Sequence, residues 1–419
     1  MTVIQALRGT RDILPSEVIY WQTLEAKARQ ILAHAGYQEI RTPLFEATEL
    51  FARGIGETTD IVGKEMYTFT DRGDRSLTLR PEGTAGAVRA FIEHKLSAQG
   101  GVQRLWYTGA MFRYERPQAG RQRQFHQLGV EVLGSADPRA DAEVIAIASD
   151  FLKALGLDAL VVDLNSVGTG ADRQNYRQAL IEYFTPHQAD LDPDSQDRLH
   201  RNPLRILDSK DPKTQAIAAA APSILDYLGP ESQSHFAAVQ QLLTDLNISY
   251  RINPRLVRGL DYYTRTAFEI QSTQLGAQAA VCGGGRYDKL VTELGGPDVP
   301  AVGWAIGLER LVILLQQLAT QELTAPKVYV VSRGPQAEAK SLVIAQELRR
   351  AAITTELDLS GAKFDKQLKR ANGCKAQVAL ILGDTEIENQ QIQIKWLETG
   401  VQETIAITDL MHHLRQKLI

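Results

Sequence analysis

The sequence predicts an α+β domain built on an antiparallel sheet with a helical insertion, followed by a small α/β domain. Two alternating strands flank a basic loop between Leu105 and Leu133, as in a hairpin of such a sheet. Residues 169–247 are polar, helical in pattern and repeatedly broken by proline. After a plausible linker at Gln321–Lys327, strands and helices alternate, which is typical of a largely parallel sheet. We therefore expect one domain over residues 1–322, with the insertion at 169–247, and a second over 323–419.

Composition limits the classes of protein that fit the chain. Its 419 residues suffice for two or three domains. The net charge is −4, so a nucleic-acid site would have to be a local patch. Cys282 and Cys374 lie far apart and form no metal-binding pair, which fits a reduced, cytoplasmic setting. The charged N-terminus does not resemble a signal peptide, and no apolar run approaches the roughly 20 residues of a membrane span.

The first elements are a helix and two strands. Helical spacing of apolar residues predicts a helix over Val18–Ala35, ending at Gly36. Tyr37–Phe45 reads as a short strand, and the proline inside it indicates an edge or a bend. The segment Ser76–Thr84 begins with a strand that ends at Arg80–Pro81, and Glu82 lies in the connection to a helix over Ala85–Glu93. A lone carboxylate in that place is more often a helix cap than a ligand.

The central hairpin carries the strongest functional pattern. Its strands are Leu105–Arg116 and Gln124–Leu133. The second strand has an apolar face for a core, while Gln127 and Glu131 share the other face, roughly 13 Å apart at strand rise. Together they can hold two ends of a small molecule lying over Gly129. The alternative is an exposed amphipathic hairpin, because antiparallel sheets often have one face in water.

Arginines in the connecting loop, Pro117–Arg123, suit phosphate because a guanidinium is a planar, permanently charged fork of donors. A second arginine position follows a small-residue strand at Ala301–Ile306. Arg310 falls there in the first turn of a helix, where an anion is also favoured, although a surface arginine is the commoner case.

The remaining elements are predicted from periodicity. A helix spans Asp141–Leu155 and a strand Val161–Val167. The three glycines within Ala279–Leu290 allow close backbone approach to a ligand, although a plain hairpin turn would explain them equally. The elements of the second domain are strands at Lys327–Ser332, Thr354–Leu357, Gln377–Leu382 and Ile392–Leu397, and helices at Ala337–Ala351, Lys363–Ala371 and from Asp409.

One helix face of the second domain is basic. Lys363, Lys366, Lys369 and Arg370 recur at helical spacing. Such a face is usually only solvated, but it can supply phosphate contacts that position a nucleic acid without reading its sequence.

Six segments in order resemble the histidine–tRNA ligases, which are class II aminoacyl-tRNA synthetases. The resemblance to motifs 1, 2 and 3 of that class lies in YQEIRTPLFE, FRYERPQAGRQRQFHQLGVEVLG and AVGWAIGLERL. The resemblance to histidine-specific signatures lies in LRPEGT, LVRGLDYYTRTAFE and CGGGRYDKL. It covers nearly the whole chain and implies a class II synthetase fold and a C-terminal anticodon-binding domain.

The resemblance also implies roles for individual residues. Around the histidine substrate it places Glu82, Gly83, Thr84, Gln127, Glu131, Tyr262 and Tyr263. Around ATP it places Arg113, Arg121, Arg123, Phe125, Arg258 and Arg310, with Arg113 and Arg258 acting catalytically on the α-phosphate. Arg116 and Gln118 fall where the family meets the acceptor end of tRNA.

The activity implied is ATP-dependent ligation of L-histidine to tRNA(His) through a histidyl-adenylate, with release of pyrophosphate and AMP. Mg²⁺ is expected on the phosphates of ATP and no metal-binding residue is assigned; the family pattern also implies a homodimer. The main alternative is the non-catalytic regulatory subunit of ATP phosphoribosyltransferase, which binds histidine on the same fold. It typically degrades the ATP-binding arginines and lacks the C-terminal domain. A class II ligase for another amino acid would need a different set of specificity residues.

Overall fold

The computed structural model describes residues 3–56, 59, 61–118, 120–272, 280–318 and 325–418. The chain divides into two compact units, Met1–Gln321 and Glu322–Ile419. The expected domain boundary, much of the linker and the first residue of the glycine-rich segment, Ala279, lie outside the described residues, as does Ala119 of the basic loop. No helix in the described ranges is long and apolar enough to cross a membrane.

The first unit is built on an eight-stranded sheet, in the order β1-β5-β6-β11-β10-β9-β7-β8. All of its neighbouring pairs are antiparallel except the two outermost, β1 with β5 and β7 with β8. The antiparallel core of the fold prediction is confirmed. The strands are β1 Gln38–Glu39, β5 Gln103–Phe112, β6 Gln124–Leu133, β7 Leu160–Ser166, β8 Tyr250–Ile252, β9 Thr264–Ser272, β10 Ala280–Arg286 and β11 Ala301–Gly307.

The first unit also has a smaller three-stranded sheet, in the order β2-β4-β3, which contacts the helix Thr48–Ile55. Its strands are β2 Phe45–Ala47, β3 Tyr67–Thr70 and β4 Ser76–Leu79. The helices that accompany the two sheets are α1 Pro15–His34, α2 Thr48–Ile55, α3 Thr84–Glu93, α4 Pro138–Ala154, α9 Leu290–Glu293 and α10 Leu308–Leu318.

The two faces of β6 differ as the sequence predicts. Leu128, Val130 and Val132 are buried in the main core, among residues of α1, α4 and α10. Gln127 and Glu131 face the opposite side, where they line a cavity. The alternative of an exposed hairpin is wrong, because β6 lies between β5 and β11 and its residues 128–133 are all buried.

Two predicted strands are shorter than expected. The first hairpin strand ends at Phe112 rather than Arg116, and beyond it Arg113 and Glu115 turn toward the basic loop. The strand expected over 37–45 is broken into β1 and β2. Between them, Arg80 donates to the carbonyl oxygens of Thr42 and Pro43, so the backbone there bonds to a side chain instead of a ladder.

The three successive glycines lie inside β10, between β9 and β11, so the hairpin-turn interpretation is wrong. A Cβ on Gly284 would meet the carbonyl oxygen of Gly303 at 2.3 Å, and one on Gly283 would meet the guanidinium of Arg258 at 2.1 Å. The run is therefore needed for close approach within the sheet and beside it.

The helical segment contains α5 Gly170–Phe184, α6 Pro193–Arg201, α7 Pro212–Ala218 and α8 Pro230–Asp245, with short 3₁₀ turns between them. Its first three helices share an apolar cluster of their own, which includes Tyr176, Leu180, Leu199 and Ala218. The fourth helix belongs to the main core, where Phe236, Val239 and Leu243 pack with residues of α4.

The second unit has a five-stranded sheet in the order β13-β12-β14-β15-β16. It is mixed rather than largely parallel, because β15 pairs antiparallel with both β14 and β16. The last strand and α13 escaped prediction. The elements are β12 Val328–Arg333, α11 Pro335–Arg350, β13 Thr355–Leu357, α12 Phe364–Gly373, β14 Val378–Gly383, α13 Asp384–Glu388, β15 Gln391–Trp396, β16 Gln402–Ala406 and α14 Leu410–Leu418.

The two cysteines have unlike environments. Cys282 is buried in β10 of the first unit, and Cys374, just after α12 of the second, is partly exposed. Both carry a free thiol.

Candidate active site

Glu131 forms the floor of a cavity on the polar face of the sheet. Its side chain is buried, with 1% of the residue's surface exposed. Thr84 Oγ1 donates to Oε1 at 2.7 Å, Tyr107 Oη donates to the same atom at 3.1 Å, and Tyr287 donates to Oε2. Burial raises the pKa of Glu131 to about 8 even though these hydroxyl groups stabilise the carboxylate. A cation brought into the cavity would therefore favour the ionised form of Glu131.

Glu82 is a second buried carboxyl group, at the start of α3. It accepts hydrogen bonds from the backbone N–H groups of Thr84 at 2.7 Å and Ala85 at 2.8 Å, so its cap-like role is real. It also lines the same cavity as Glu131. Burial raises the pKa of Glu82, opposed by its backbone hydrogen bonds. The start of α3 thus fixes a second carboxyl group in the same cavity.

The cavity has a volume of about 160 Å³. Gln127 lines it, and its buried Oε1 has no hydrogen-bond partner among the described residues. Such an atom costs free energy unless a ligand satisfies it. Tyr262 and Tyr263 line the cavity too, with ring centroids 4.8 Å apart. Of the residues expected around histidine, the structure brings together Glu82, Thr84, Gln127, Glu131, Tyr262 and Tyr263.

Gly83 is the exception, since its own atoms do not line the cavity. A Cβ at this position would lie 2.1 Å from the ring of Tyr107, and one on Gly129 would meet the same ring at 2.2 Å. Both glycines make room for a tyrosine that donates to Glu131. Gly83 therefore shapes the site rather than facing it.

Arg113 and Arg258 line the same cavity as the two carboxyl groups. Arg113 Nε donates to the carbonyl oxygen of Pro81 at 2.8 Å, and its guanidinium lies 5.4 Å from the ring centroid of Phe125. Arg258 pairs with Glu269 through Nη1, while its buried Nε has no partner among the described residues. Two fixed guanidinium groups therefore converge on one small volume.

A second cavity of about 170 Å³ adjoins this wall through Arg113. Arg121, Phe125 and Arg310, three of the residues that the resemblance places around ATP, also line it. Arg310 Nη1 donates to the carbonyl oxygen of Ala280 at 2.8 Å. Burial lowers the pKa of Arg310, and the positive charge of Arg121 lowers it further. Like charges held this close favour an anionic ligand.

Arg123 does not reach either cavity, although it was expected at ATP. Its guanidinium lies 3.8 Å from the ring centroid of Tyr114, and its backbone N–H donates to the carbonyl oxygen of Gly9. Arg116 and Gln118, expected at the acceptor end, are exposed and line neither cavity. Alternation cannot place these side chains because β5 ends before them.

Sequence reasoning missed several side chains of the site. Tyr107 and Tyr287 donate to Glu131, and Gly303 leaves space for it, since a Cβ there would lie 2.0 Å from Oε2. The signal for Tyr107 was present, because it stands opposite Gly129 in the hairpin register. Tyr287 and Gly303 become neighbours of the site only through pairing of β10, β11 and β6.

Comparison with known proteins identifies the family of the chain. A family model described as Histidyl-tRNA synthetase matches residues 9–311, and one described as Anticodon binding domain matches residues 327–417. The chain belongs to the histidyl-tRNA synthetase family. Proteins named Histidine--tRNA ligase from Cyanothece sp. and Synechocystis sp. are 69% and 67% identical over 100% and 99% of this chain, covering 98% and 93% of their own lengths.

Solved structures agree with this family assignment. The apo histidyl-tRNA synthetase of S. aureus has a TM-score of 0.81 and 39% identity, covering 98% of this chain and 99% of its own. A protein titled ATP phosphoribosyltransferase regulatory subunit/histidyl-tRNA synthetase, from Bacillus halodurans, has a TM-score of 0.67 at 22% identity, with 91% of this chain and 99% of its own covered. At that identity the likeness concerns the fold alone. This synthetase is thus a class II enzyme by fold and by sequence.

Proposed function

We propose that this synthetase ligates L-histidine to tRNA(His) in two steps, through a histidyl-adenylate. One observation supports this above all: two buried carboxyl groups and two arginines line a single small cavity. An amino acid carries a cation and a carboxylate on one carbon, and this cavity offers a complement to each. The reaction releases pyrophosphate in the first step and AMP in the second.

Recognition of histidine rests on the polar floor. Glu82, Thr84 and Gln127 take the ammonium group, because a carboxylate and an unpaired amide oxygen satisfy its donors. Glu131, Tyr262 and Tyr263 surround the imidazole. A side chain without ring nitrogens would leave Glu131 buried and without a ligand partner, which is the kind of mismatch that gives strong discrimination.

Adenylate formation needs positioning more than acid–base chemistry. The carboxylate of histidine attacks the α-phosphate, pyrophosphate leaves, and negative charge grows on the phosphoryl oxygens. Arg113 and Arg258 meet that charge in the cavity shared with the amino acid. Arg121 and Arg310 suit the distal phosphates, and Phe125 suits the adenine ring. Preorganised donors of this kind are typically worth about 10² to 10³ in rate each.

Mg²⁺ fits this site as an ion bound to the phosphates of ATP. The second cavity offers Glu115 beside Arg113, Arg121 and Arg310, so a hydrated ion would take most of its oxygen ligands from phosphates and water. When bound, the ion would neutralise negative charge on the β- and γ-phosphates of ATP. Glu115 lies 3.6 Å from Arg121 and 3.9 Å from Arg113, and its carboxylate would offer the ion an oxygen ligand from the chain.

Transfer to tRNA uses exposed residues around the cavities. Arg116 and Gln118 are exposed on the basic loop and are proposed to meet the acceptor end. In the second unit, the basic face of α12 supplies phosphate contacts through Lys366 and Lys369. Arg370 is already committed to Asp358, at 3.0 Å, so it contributes less to such contacts.

A homodimer is proposed in the cytoplasm. After Pro43, in the segment that resembles motif 1, Leu44 and Phe45 expose 47% and 53% of their surfaces. Phe69, which lies with Phe45 in the three-stranded sheet, is 44% exposed. Exposed apolar residues grouped in this way mark protein–protein contact. Sedimentation of the wild type against Phe45→Asp tests it: a dimer that becomes a monomer supports the interface, and an unchanged species refutes it.

Histidine-dependent exchange of pyrophosphate into ATP tests the whole proposal. The purified chain should catalyse exchange with Mg²⁺ and ATP only when histidine is present. Histidine binding without exchange would instead favour the regulatory-subunit function. The presence of Arg113, Arg258 and Arg310 in the two cavities argues for catalysis.

A further inference from the structure

A third cavity, of about 400 Å³, lies between the helical segment and the loop at residues 257–263. Arg258, Leu260 and Tyr263 line both this cavity and the proposed histidine cavity, so the two share a wall. The arginines that line it are Arg173, Arg177, Arg201, Arg205 and Arg258. Asp261 is the one carboxylate among its described lining residues.

The charge of this cavity is poorly balanced. Asp261 is engaged by the helical segment: Asn202 Nδ2 donates to its Oδ1 at 3.3 Å, and Arg205 Nη2 forms an ion pair with it at 4.0 Å. Arg201 and Arg258 have carboxylate partners outside the lining, Asp197 and Glu269. Positive charge therefore remains in excess.

The excess centres on Arg173 and Arg177. Arg173 Nη1 donates to the carbonyl oxygens of Tyr263 at 2.9 Å and Asp261 at 3.3 Å, and Arg177 donates to that of His200. Carbonyl oxygens satisfy donors but do not neutralise charge. Burial lowers the pKa of Arg173, and the negative charges of Asp261 and Glu293 oppose that shift. Gly170, the first residue of α5, also lines the cavity, and Asp172 in the first turn of that helix offsets the positive partial charge of its N-terminus.

We propose that this cavity binds a phosphate group. The inference rests on the proposed function, because the phosphate would belong to a substrate or a product of the two-step reaction. Guanidinium groups bind phosphate through paired charge-assisted hydrogen bonds. Several guanidinium groups around one concave volume therefore suit a bound phosphate better than a single carboxylate of the chain. The shared wall at Arg258 puts the bound phosphate next to the adenylate. Two sources carry this chemistry: a backbone phosphate near the 3′ end of the RNA substrate, and free pyrophosphate.

The test removes the two exposed arginines and leaves Arg173, which also holds the loop. The double variant Arg177→Ala/Arg201→Ala is compared with the wild type in pyrophosphate exchange, which needs no RNA, and in tRNA charging. For an RNA phosphate, we expect unchanged exchange at low pyrophosphate and a KM for tRNA raised roughly tenfold or more. The dependence of log KM on log salt should also become shallower by about one unit.

Inorganic pyrophosphate is the probe of the second source. If free pyrophosphate occupies the cavity, the double variant should need several-fold more pyrophosphate to inhibit charging, with the KM for tRNA unchanged. Either result supports the phosphate site and names its source. Unchanged behaviour in both assays overturns it, and so does an equal loss of exchange and charging, which would assign the arginines to the catalytic cavity.

Three controls separate the loss of the phosphate site from general effects of charge and from loss of folding. Lys210→Ala removes one exposed positive charge from the same helical segment, outside the cavity, and should leave both assays unchanged. The double variant Arg177→Lys/Arg201→Lys keeps the charge and should behave much more like the wild type than the alanine variant does. Thermal unfolding of each variant detects loss of folding. A wild type without exchange would instead contradict the proposed function itself, so the two failures are distinct.

Discussion

Glu131 links the chemistry of the site to the stability of the fold. Because burial raises its pKa to about 8, the carboxyl group is protonated in the free folded protein below that pH, whereas an unfolded carboxyl of this type ionises near 4.5. Between these values the folded state binds more protons than the unfolded state. The stabilisation from this group is therefore present below pH 4.5 and declines as pH rises, until it is lost above about pH 8.

Substituting Glu131 with glutamine should remove this dependence. We expect the free energy of unfolding of Glu131→Gln to fall less than that of the wild type between pH 5 and pH 9, by roughly a few kcal/mol. Urea unfolding at several pH values measures it. Glu49→Gln, at a well-exposed position on α2, is the control and should follow the wild type. Parallel profiles for wild type and Glu131→Gln would contradict the raised pKa.

Arg258 acts, in the proposed mechanism, on charge that appears only during the reaction. Arg258→Ala should therefore lower the rate of adenylate formation by about 10² to 10³ while histidine affinity changes much less. Single-turnover kinetics and equilibrium binding separate the two effects. Arg255→Ala, an exposed arginine three residues earlier that donates to the carbonyl oxygen of Ala219, should alter neither. Equal losses in rate and affinity would mean that Arg258 is structural.

At the scale of elements, the helical segment holds the loop that carries Arg258, Tyr262 and Tyr263. Arg173 donates to two carbonyl oxygens of that loop, and Asn202 donates to the side chain of Asp261. From the other side, the backbone N–H of Asp261 donates to the carbonyl oxygen of Ile55. The loop is therefore held between the helical segment and the end of α2.

A double-mutant cycle between Asn202→Ala and Asp261→Ala measures this coupling in adenylate formation. We expect each single change to slow the step and the double change to be less harmful than their sum, with a coupling free energy of about 0.5–3 kcal/mol. Lys213 and Asp190, an exposed ion pair at 2.7 Å in the same segment, give the matched control cycle, expected near zero. Additive effects at Asn202 and Asp261 would refute the coupling.

Periodicity predicts an element well where the hydrophobic pattern of the sequence agrees with the strand pairing in the structure. The bounds of β6 and the faces of Gln127 and Glu131 follow from alternation, because one face must rest on a core. The glycines of β10 show the limit. Their effect depends on Arg258 and Trp304, which lie elsewhere in the sequence and reach them only in three dimensions. Arg80 likewise breaks the strand expected over 37–45 through a contact that sequence spacing does not reveal.

At the scale of the whole molecule, the two units predict separable activities. A chain ending at residue 322 should retain histidine-dependent pyrophosphate exchange, because both proposed substrate cavities lie in the first unit. Charging of tRNA should be much weaker, since the part that matches the anticodon-binding family is missing. Exchange and charging assays on both chains check this, with thermal unfolding as the folding control. Unimpaired charging would refute the role given to the second unit.

The assembly of the site came from the resemblance rather than from periodicity alone. Alternation predicts the positions of Gln127 and Glu131, whereas local pattern alone favours a helix cap at Glu82 and a surface residue at Arg310. Both of those residues line the cavities. The motifs gave no means of foreseeing that Arg123 would lie over Tyr114 instead. Loop side chains follow local contacts rather than strand register, so spacing does not place them.

The placement of one thiol in each unit provides an intrinsic reporter of unfolding. A maleimide dye should modify partly exposed Cys374 in the native protein and leave buried Cys282 untouched. Labelling of Cys282, followed by mass spectrometry of the tryptic peptides, would then time the opening of the sheet beside Arg258. Saturating histidine and ATP should slow that labelling, because ligands that bind only the folded state oppose its opening.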